Sequence, residues 1–466
     1  MEHPHKHITS FIVSLALFME AVDTNIINTA IPTMAINLHV HPVDLKIALI
    51  SYLISLAIFI PISGWIADKL GVKRVFICAI GLFTLSSIWC GFSRTIYELV
   101  AARTLQGLGG SLTLPVGRLI LVRTFKRHEL IATMNRVVMV AALGIMLGPL
   151  LGGFITHYLS WHWIFWVNIP IGVLTIVAAS IWLEHVAPQR VPPLDKWGFI
   201  LFGSGLATLT FGLSAFSETT MPSQRAKEIT FISVILLICY VVHSRKQAHP
   251  IVKTALFRAR SFQVAVLGNL FSRLGFGGVP FLLPLLLQIG LDYPAQWSGI
   301  LLAPMAIGVL LVKLFSLSAL RLLGFKRLLM INTILVGISL GLFAAINSDT
   351  SMYFIAFNTF LFGFLISLQY SGMNSLAYAD IAHENLSAAT SIMSTLQQIA
   401  QSFGVAVSAL LIRYFATSNH LTIDDFHHTF TAMGILTLFS VFIFLRLRPE
   451  DGSEMIALRE ENNLLP

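Results

Sequence analysis

The chain has 466 residues, of which 56% are hydrophobic and only 11% are charged. A soluble domain carries about 25% charged residues, so the composition excludes an ordinary soluble protein and predicts a polytopic membrane protein. The net charge of +8 does not indicate nucleic acid, because the basic residues lie in short clusters between apolar segments, as in membrane proteins.

A helix that crosses a bilayer needs about 20 mostly apolar residues. This rule predicts an all-α protein with about fourteen transmembrane helices. The predicted spans are 10–34, 45–67, 74–93, 96–122, 131–157, 163–185, 197–216, 228–243, 262–289, 297–316, 327–346, 352–376, 388–414 and 427–446. Without spans seven and eight, six helices remain on either side. We therefore predict an N-terminal six-helix bundle over 1–190, two inserted helices with linkers over 191–255, and a C-terminal six-helix bundle over 256–466.

The distribution of Lys and Arg predicts the orientation of these helices. With the N-terminus inside, twenty of the thirty basic residues fall in inside connections, five in outside connections and five within spans. Cytoplasmic loops carry an excess of basic residues. We therefore expect both termini to be cytoplasmic.

Two acidic residues interrupt the first span. Glu20 and Asp23 are three positions apart, so they share one face of a helix. An ionisable side chain in a bilayer is costly and is by default a candidate functional site. We predict that these acids carry the proton or bind a cationic substrate. For Asp23, the alternative is a polar residue that fixes helix packing.

Arg103, within the fourth span, cannot deprotonate. It either holds a carboxylate or hydrogen-bonds helix carbonyls.

The other charges within the spans give a clue to the substrate. Four arginines (Arg103, Arg118, Arg136 and Arg273) stand against the two acids, an excess of two positive charges. A guanidinium surplus suits a carboxylate or phosphate, so we hypothesise an anionic or zwitterionic substrate, such as a citrate-type compound or a carboxylate siderophore. Arg136 lies near a helix end and can reach the surface. The residues predicted to line the substrate cavity are Arg118, Arg273, Gln106, Asn28, Gln288 and Gln369. For the amides, a helix–helix hydrogen bond is the alternative.

A short repeat links the two halves of the chain. Gly71-Val72-Lys73-Arg74 follows the second span, and Gly324-Phe325-Lys326-Arg327 follows the tenth. Both fall in connections predicted to be cytoplasmic, at matching places in the two bundles. Internal repeats of this kind are common in secondary transporters.

Several motifs in order resemble those of a known family. The stretch Gly64-Trp65-Ile66-Ala67-Asp68-Lys69-Leu70-Gly71-Val72-Lys73-Arg74 resembles the loop signature of the major facilitator superfamily. Gly144-Ile145-Met146-Leu147-Gly148-Pro149-Leu150-Leu151-Gly152-Gly153 resembles its fifth-helix antiporter signature. The fourth-helix signature of its proton-driven members is similar to Leu99, Arg103, Gln106, Gly107, Gly109 and Ser111. The first-helix pattern of the fourteen-helix drug/proton antiporters (EmrB/QacA-like) is similar to Val22-Asp23-Thr24-Asn25. The sixth-helix pattern resembles Trp161-His162-Trp163-Ile164-Phe165 and Asn168-Ile169-Pro170-Ile171-Gly172. His162 departs from the pattern, because the family usually has Arg there.

The resemblance implies a proton-coupled antiporter that exports small molecules or drugs by alternating access from a bacterial inner membrane. Asp23, Glu20 and Arg103 would couple the proton. The residues expected to take part in the conformational change are Gly64, Asp68, Lys69, Gly71, Lys73, Arg74, Gly144, Gly148, Pro149, Gly152 and Gly153. We expect Gly64 to allow close helix approach, Asp68 to form a latch with a basic residue or a helix N-terminus, and Pro149 to kink its helix.

We expect no enzyme activity, no metal and no cofactor. The chain lacks a Gly-rich loop ending in Lys-Ser/Thr, so the proton gradient rather than ATP is the expected energy source. The expected partners are a small-molecule substrate, protons and the lipid bilayer, with a periplasmic adaptor and an outer-membrane channel as further candidates, and no nucleic acid. Export of an anionic metabolite, uptake instead of export, a polytopic membrane enzyme and a non-transporting sensor stay open as alternatives.

Overall fold

The structure, a computed structural model, describes residues 6–185, 188, 191–216, 223–382, 385–416, 420–448 and 450–451. Thirteen of its helices in these ranges are long and apolar enough to cross a membrane. The helix Ala295–Ala344 has 50 residues and contains non-helical backbone at Gly324, so it provides two spans. The prediction of about fourteen transmembrane helices in an all-α protein is therefore confirmed.

The helices of the described residues are α1 (Lys6–Asn37), α2 (Lys46–Leu70), α3 (Val72–Phe92), α4 (Ile96–Thr124), α5 (Arg127–Tyr158), α6 (Trp163–Trp166), α7 (Asn168–Trp182), α8 (Lys196–Ala215), α9 (Ser223–Ser244), α10 (Arg260–Phe276), α11 (Val279–Leu285), α12 (Ala295–Ala344), α13 (Met352–Ala379), α14 (Leu386–Phe415), α15 (Ile423–Phe439) and α16 (Val441–Phe444). Short 3₁₀ turns at Pro42–Leu45 and Thr254–Arg258 and a π turn at Leu286–Gly290 connect them. We call the side of the bundle where α1 begins and α16 ends the terminal face, and the other side the opposite face.

Two glycines mark the repeat in the backbone. Gly71, between α2 and α3, has φ of 93°, and Gly324, inside α12, has φ of 68°. A side chain is strained at positive φ, whereas glycine adopts it readily. The two sequence repeats therefore make the same kind of tight turn between consecutive spans on the terminal face.

The contacts between helices follow the repeat. Within the N-terminal half α1 packs on α5, and α2 and α3 pack on α4, while in the C-terminal half α12 packs on α13 and α10 on α14. The halves meet through α5 against α12 and α14 against α2. These two interfaces occupy matching positions in the two halves. The inserted pair α8 and α9 pack on each other, and α8 also touches α2 and α14, at the seam between the halves.

The halves are tightly joined near the opposite face. A Cβ placed on Gly153 would lie 2.5 Å from the carbonyl oxygen of Ala295, and one on Gly299 would lie 2.5 Å from the carbonyl oxygen of Pro149. No real side chain fits at such distances, so α5 and α12 touch backbone to backbone here. Small residues allow this kind of close helix contact in membranes.

Polar contacts join the halves at the same level. The Nε2 of Gln288 donates a hydrogen bond of 2.9 Å to the carbonyl oxygen of Thr29. Closer to the surface, a nitrogen of Arg413 lies 3.8 Å from Oδ1 of Asp44. Arg413 is in the last turn of α14, and Asp44 is in the 3₁₀ turn between α1 and α2. The opposite face is therefore closed in this conformation.

Three glycines of α5 bring it against α1. A Cβ on Gly144, Gly148 or Gly152 would come within 2.9 Å of atoms of α1, and on Gly152 it would lie 2.3 Å from the carbonyl oxygen of Ile26. These glycines are spaced four apart and so form one stripe on the helix. α5 runs through Pro149 as one helix, and the predicted kink there stays a prediction. The stripe fixes the distance between α1 and α5.

We expect Gly152→Ala to lower the melting temperature of the purified protein. Its new methyl group would overlap the α1 backbone, and overpacking costs about 1–3 kcal/mol. Gly81→Ala is the matched control, because a Cβ on Gly81 in α3 meets no atom within 4 Å. Alanine is also the better helix former, so the control should melt at the same temperature or slightly higher. Equal melting of the two variants in detergent would contradict the close contact.

Candidate functional site

A buried charged network joins three helices in the middle of the N-terminal half. Asp23 of α1 and Arg103 of α4 are both fully buried, and Nη1 of Arg103 lies 2.6 Å from Oδ2 of Asp23. Oδ1 of the same carboxylate accepts hydrogen bonds of 2.8 Å from Gln106 of α4 and from Asn168 of α7. Of the two roles expected for Arg103, the structure shows the one in which it holds a carboxylate.

The neighbours of this pair keep its charges in place. Gln106 also accepts a hydrogen bond of 2.7 Å from Nη1 of Arg103, and the aromatic ring of Tyr52 lies 4.2 Å from the guanidinium carbon. Asn168 donates a second hydrogen bond to Ser87 of α3. Removing one partner of a buried ion pair costs about 3–5 kcal/mol. The network therefore ties α1, α3, α4 and α7 together.

Two buried polar atoms of the network have no hydrogen-bond partner among the described residues. They are Nε of Arg103 and Oδ1 of Asn168. A buried polar group without a partner is costly, so these two atoms lower the stability that the network contributes. No role for Asn168 or Tyr52 was predicted from the sequence. The available signal was an asparagine in an otherwise apolar sixth span.

Glu20 lies one turn before Asp23 but has a different environment. Its side chain is half-buried, and Oε1 would lie 3.6 Å from a Cβ placed on Gly110. Oε2 is buried and has no hydrogen-bond partner in the described part of the chain. The nearby charge of Asp23 and, after it, that of Arg118 interact electrostatically with Glu20. Glu20 is therefore coupled to Asp23 by charge but takes no part in its hydrogen bonds, and Oε2 is open to a further partner.

Arg273 is the corresponding feature of the C-terminal half. Its Nε donates to Asn269 at 2.7 Å and its Nη1 to Gln401 at 2.9 Å. The guanidinium carbon lies 4.0 Å from the ring centre of Tyr370. No carboxylate of the described ranges forms an ion pair with it. Arg273 is thus held in place by neutral groups and keeps its charge uncompensated.

The structure reduces the predicted surplus of positive charge. Arg103 is neutralised by Asp23, and Arg136 is exposed and donates only to Thr133 in the described chain. Two positive charges, those of Arg118 and Arg273, then remain with one negative charge, that of Glu20. The surplus of two predicted from the sequence becomes a surplus of one near the middle of the protein.

The predicted cavity amides are found in different places. Gln106 and Gln369 are fully buried within one half each, where Gln369 bonds to Asn332 and Thr333. Neither is among the described residues that line the cavity between the halves, so their place in a substrate cavity stays a prediction. Gln288 closes the opposite face through Thr29, as described above. Asn28 does line a small cavity between the halves, together with residues Asn25, Thr29, Ile145, Pro149, Pro280, Leu302, Met305 and Ala306.

The signature stretch between α2 and α3 makes two sets of polar contacts. Asp68 forms an ion pair of 2.6 Å with Arg123 of α4, a basic residue as expected, but both helices belong to the N-terminal half. The pair therefore cannot itself latch one half to the other. Lys73 donates to the carbonyl oxygens of Ser180 and Leu183 at the end of α7.

The remaining residues of this loop are less constrained. Lys69 lies 4.4 Å from the ring centre of Trp65, and Arg74 is exposed. The expectation that Gly64 allows close helix approach is wrong in this conformation, because Gly64 is exposed and a Cβ there would meet no atom within 4 Å. Glycine is needed instead at Gly71, where φ is positive.

His162 replaces the arginine that the family resemblance led us to expect. Its ring stacks on Trp161 with 3.9 Å between ring centres, and Nδ1 hydrogen-bonds the Ser160 hydroxyl at 2.6 Å. Burial lowers the pKa of the His162 imidazole below its usual value. The loop after α5 therefore lacks the permanent charge that an arginine would carry at this position.

Comparisons with known proteins agree with this architecture. The family profile of the Major Facilitator Superfamily matches residues 13–405 and 319–464. The chain is 34% identical over 454 residues to MdtD of Escherichia fergusonii, which is named as a multidrug resistance protein, and the match covers 96% of each chain. The nucleoside transporter NupG has a similar structure, with a TM-score of 0.63 and 13% identity, covering 96% of this chain and 100% of that one.

A bacterial homologue of the human drug peptide transporters PepT1 and PepT2 also has a similar structure. Its TM-score is 0.65 at 15% identity, with coverage of 98% of this chain and 99% of that one. At 13% and 15% identity the structural neighbours support the fold alone. The family profile and the relative at 34% identity support common descent. The chain therefore belongs to the Major Facilitator Superfamily and is a multi-pass membrane transporter, not an enzyme.

Proposed function

We propose that this protein is a proton-coupled antiporter that exports small molecules or drugs from the cytoplasm across a bacterial inner membrane. The observation that carries the proposal is the fully buried Asp23–Arg103 pair, held by two side-chain amides in the middle of the N-terminal half. A buried carboxylate that forms an ion pair can change its charge only by taking up or releasing a proton.

Protonation of Asp23 would change the packing of the N-terminal half. As a carboxylate, Asp23 accepts hydrogen bonds from Arg103, Gln106 and Asn168. A proton removes its negative charge and leaves the guanidinium of Arg103 unpaired, which is costly in an apolar interior. Arg103 would then have to find other acceptors. Because the three partners stand on α4 and α7, the proton would shift these helices relative to α1.

The closed opposite face supports alternating access from the cytoplasm. If the termini are cytoplasmic, as the excess of basic residues in those connections indicates, the backbone contact of α5 with α12 seals the periplasmic side. The substrate would then reach the middle of the protein from the cytoplasm. In transporters with two repeated halves, rocking of the halves around a central site exchanges the open side.

Asp23→Asn should abolish proton-coupled transport. Asparagine cannot release a proton and cannot neutralise Arg103. Inside-out membrane vesicles with an imposed pH gradient report substrate-induced proton release from the lumen, with ciprofloxacin or citrate added as test compounds. We expect at least a tenfold loss in the variant. Asp424→Asn is the control, because Asp424 is 87% exposed in the first turn of α15 and its removal should change nothing.

The same assay shows whether Asp23 or Glu20 is the proton site. Full proton release with Asp23→Asn and loss with Glu20→Gln would move the proton site to Glu20. No release from the wild type with any tested compound, while radiolabelled compound is still transported, would contradict proton coupling itself.

Asp68→Asn should slow transport severalfold without unfolding the protein. The Asp68–Arg123 pair is partly exposed, and such pairs contribute at most about 1 kcal/mol to stability. Its effect should therefore appear in the rate at which α2 and α4 move. Arg123→Gln should give the same defect, and the double variant no further loss. Arg321→Gln, at the exposed equivalent connection, should transport normally, and an equal defect there would contradict a role specific to Asp68.

A further inference from the structure

The two halves can be aligned through the repeat without gaps over their first helices. Gly324 stands 253 positions after Gly71 (324 minus 71). The same shift moves α1 (Lys6–Asn37) onto 259–290, and the ninth span runs from Arg260 to Gly290. It also moves α3 (Val72–Phe92) onto 325–345, which is the second part of α12 up to its end at Ala344. Positions of α1 therefore have defined counterparts in α10 and α11.

This alignment pairs two charged residues of opposite sign. Glu20 of α1 corresponds to Arg273 of α10. Asp23 corresponds to Phe276, which is fully buried and packs against the rings of Phe362 and Tyr370. The halves of such transporters are related by an axis along the membrane normal. A carboxylate and a guanidinium thus occupy matching positions on the two sides of the central axis.

Both residues lie at the same depth on helices that face each other. Asn28 of α1 and Pro280 of α11 line one cavity between the halves, and Thr29 is bonded to Gln288. Glu20 lies eight residues before Asn28, and Arg273 lies seven before Pro280. At 1.5 Å per residue both are roughly 10 Å from this closed junction, toward the terminal face. Both residues therefore lie on the terminal-face side of the seal.

Each of the two charges lacks an opposite charge in direct contact. Oε2 of Glu20 is buried without a hydrogen-bond partner, and Arg273 is supported by Asn269, Gln401 and Tyr370 but by no carboxylate in the described ranges. The amides fix the direction of the guanidinium, and the ring of Tyr370 covers one of its planes. Arg118, nearer the terminal face, interacts at longer range with Glu20 and with Tyr378.

We propose that Glu20 and Arg273 form a two-charge binding site for an amphoteric small molecule, one that carries an ammonium group and a carboxylate. The ammonium would bind Glu20, and the carboxylate would bind the guanidinium of Arg273. The site would exclude molecules that carry only one of these groups, because the other protein charge would then stay buried and unpaired. This inference rests on the proposed transport function, since it names the substrate class of the same central site.

Equilibrium binding to the purified full-length protein in lipid nanodiscs tests the site. The probes are phenylalanine, alanyl-phenylalanine and ciprofloxacin, each as the zwitterion, as the methyl ester with only the positive charge, and as the N-acetyl form with only the negative charge. We expect at least one zwitterion to bind at least tenfold more tightly than both of its single-charge forms.

The variants assign each charge to its partner. Glu20→Gln should weaken binding of the preferred zwitterion at least tenfold and leave its N-acetyl form unchanged. Arg273→Gln should weaken it equally and leave the methyl ester unchanged. The matched controls are Glu228→Gln and Arg136→Gln, because both residues are exposed, and they should bind like the wild type. Melting temperatures of all variants show whether each is folded.

Several results would overturn the two-charge site. They are a preference for a single-charge form, an equal loss of all three forms in either variant, and no binding of any probe. Transport assays in vesicles distinguish a failure of the two-charge site from a failure of the proposed antiport function. Proton-dependent export of methyl esters only would contradict the site and leave the antiporter intact. Tight zwitterion binding with transport that ignores the pH gradient would support the site and contradict proton coupling.

Discussion

The ion pair between Asp23 and Arg103 is the constraint on which the N-terminal half depends. Neither charge is tolerable alone in an apolar interior, so α1 and α4 must stay together wherever the pair is intact. Gln106 and Asn168 complete the shell of the carboxylate and bring α7 into the same unit. The glycine stripe of α5 lets a third helix approach α1 from the other side. Charge and close backbone packing thus hold α1 between its neighbours.

The two halves share a backbone plan but differ in chemistry. Their repeat-related turns at Gly71 and Gly324 both have positive φ, and the helices through which the halves meet occupy matching positions. Yet where the N-terminal half has Asp23, the C-terminal half has the buried ring of Phe276. Aromatic packing against Phe362 and Tyr370 replaces the carboxylate there. A change in charge would therefore act on the N-terminal half, while Arg273 on the other side keeps a fixed geometry.

Hydropathy, glycine and basic residues predicted much of this structure, because the bilayer requires long apolar helices and leaves few other solutions. The spans and the repeated connection followed from the sequence pattern, and a carboxylate partner for Arg103 was one of the two roles that the sequence left open. The roles of Gly64, Gln106 and Gln369 did not follow from the pattern, since they depend on which way each helix is rotated. A polar residue in a span satisfies its hydrogen bonds equally well on a neighbouring helix or in a cavity. Asn168 was missed for the same reason.

The spacing of the two acids suggests how proton and substrate communicate. Glu20 and Asp23 are three residues apart, about 4.5 Å along α1. Asp23 is enclosed by the N-terminal half, whereas Oε2 of Glu20 has no hydrogen-bond partner among the described residues. A proton at Asp23 would loosen α1 from α4 and α7, and the same rigid helix carries Glu20. Moving α1 changes the distance between Glu20 and Arg273, which stands on the other half. Proton and substrate would then compete through the position of one helix, without sharing a carboxylate.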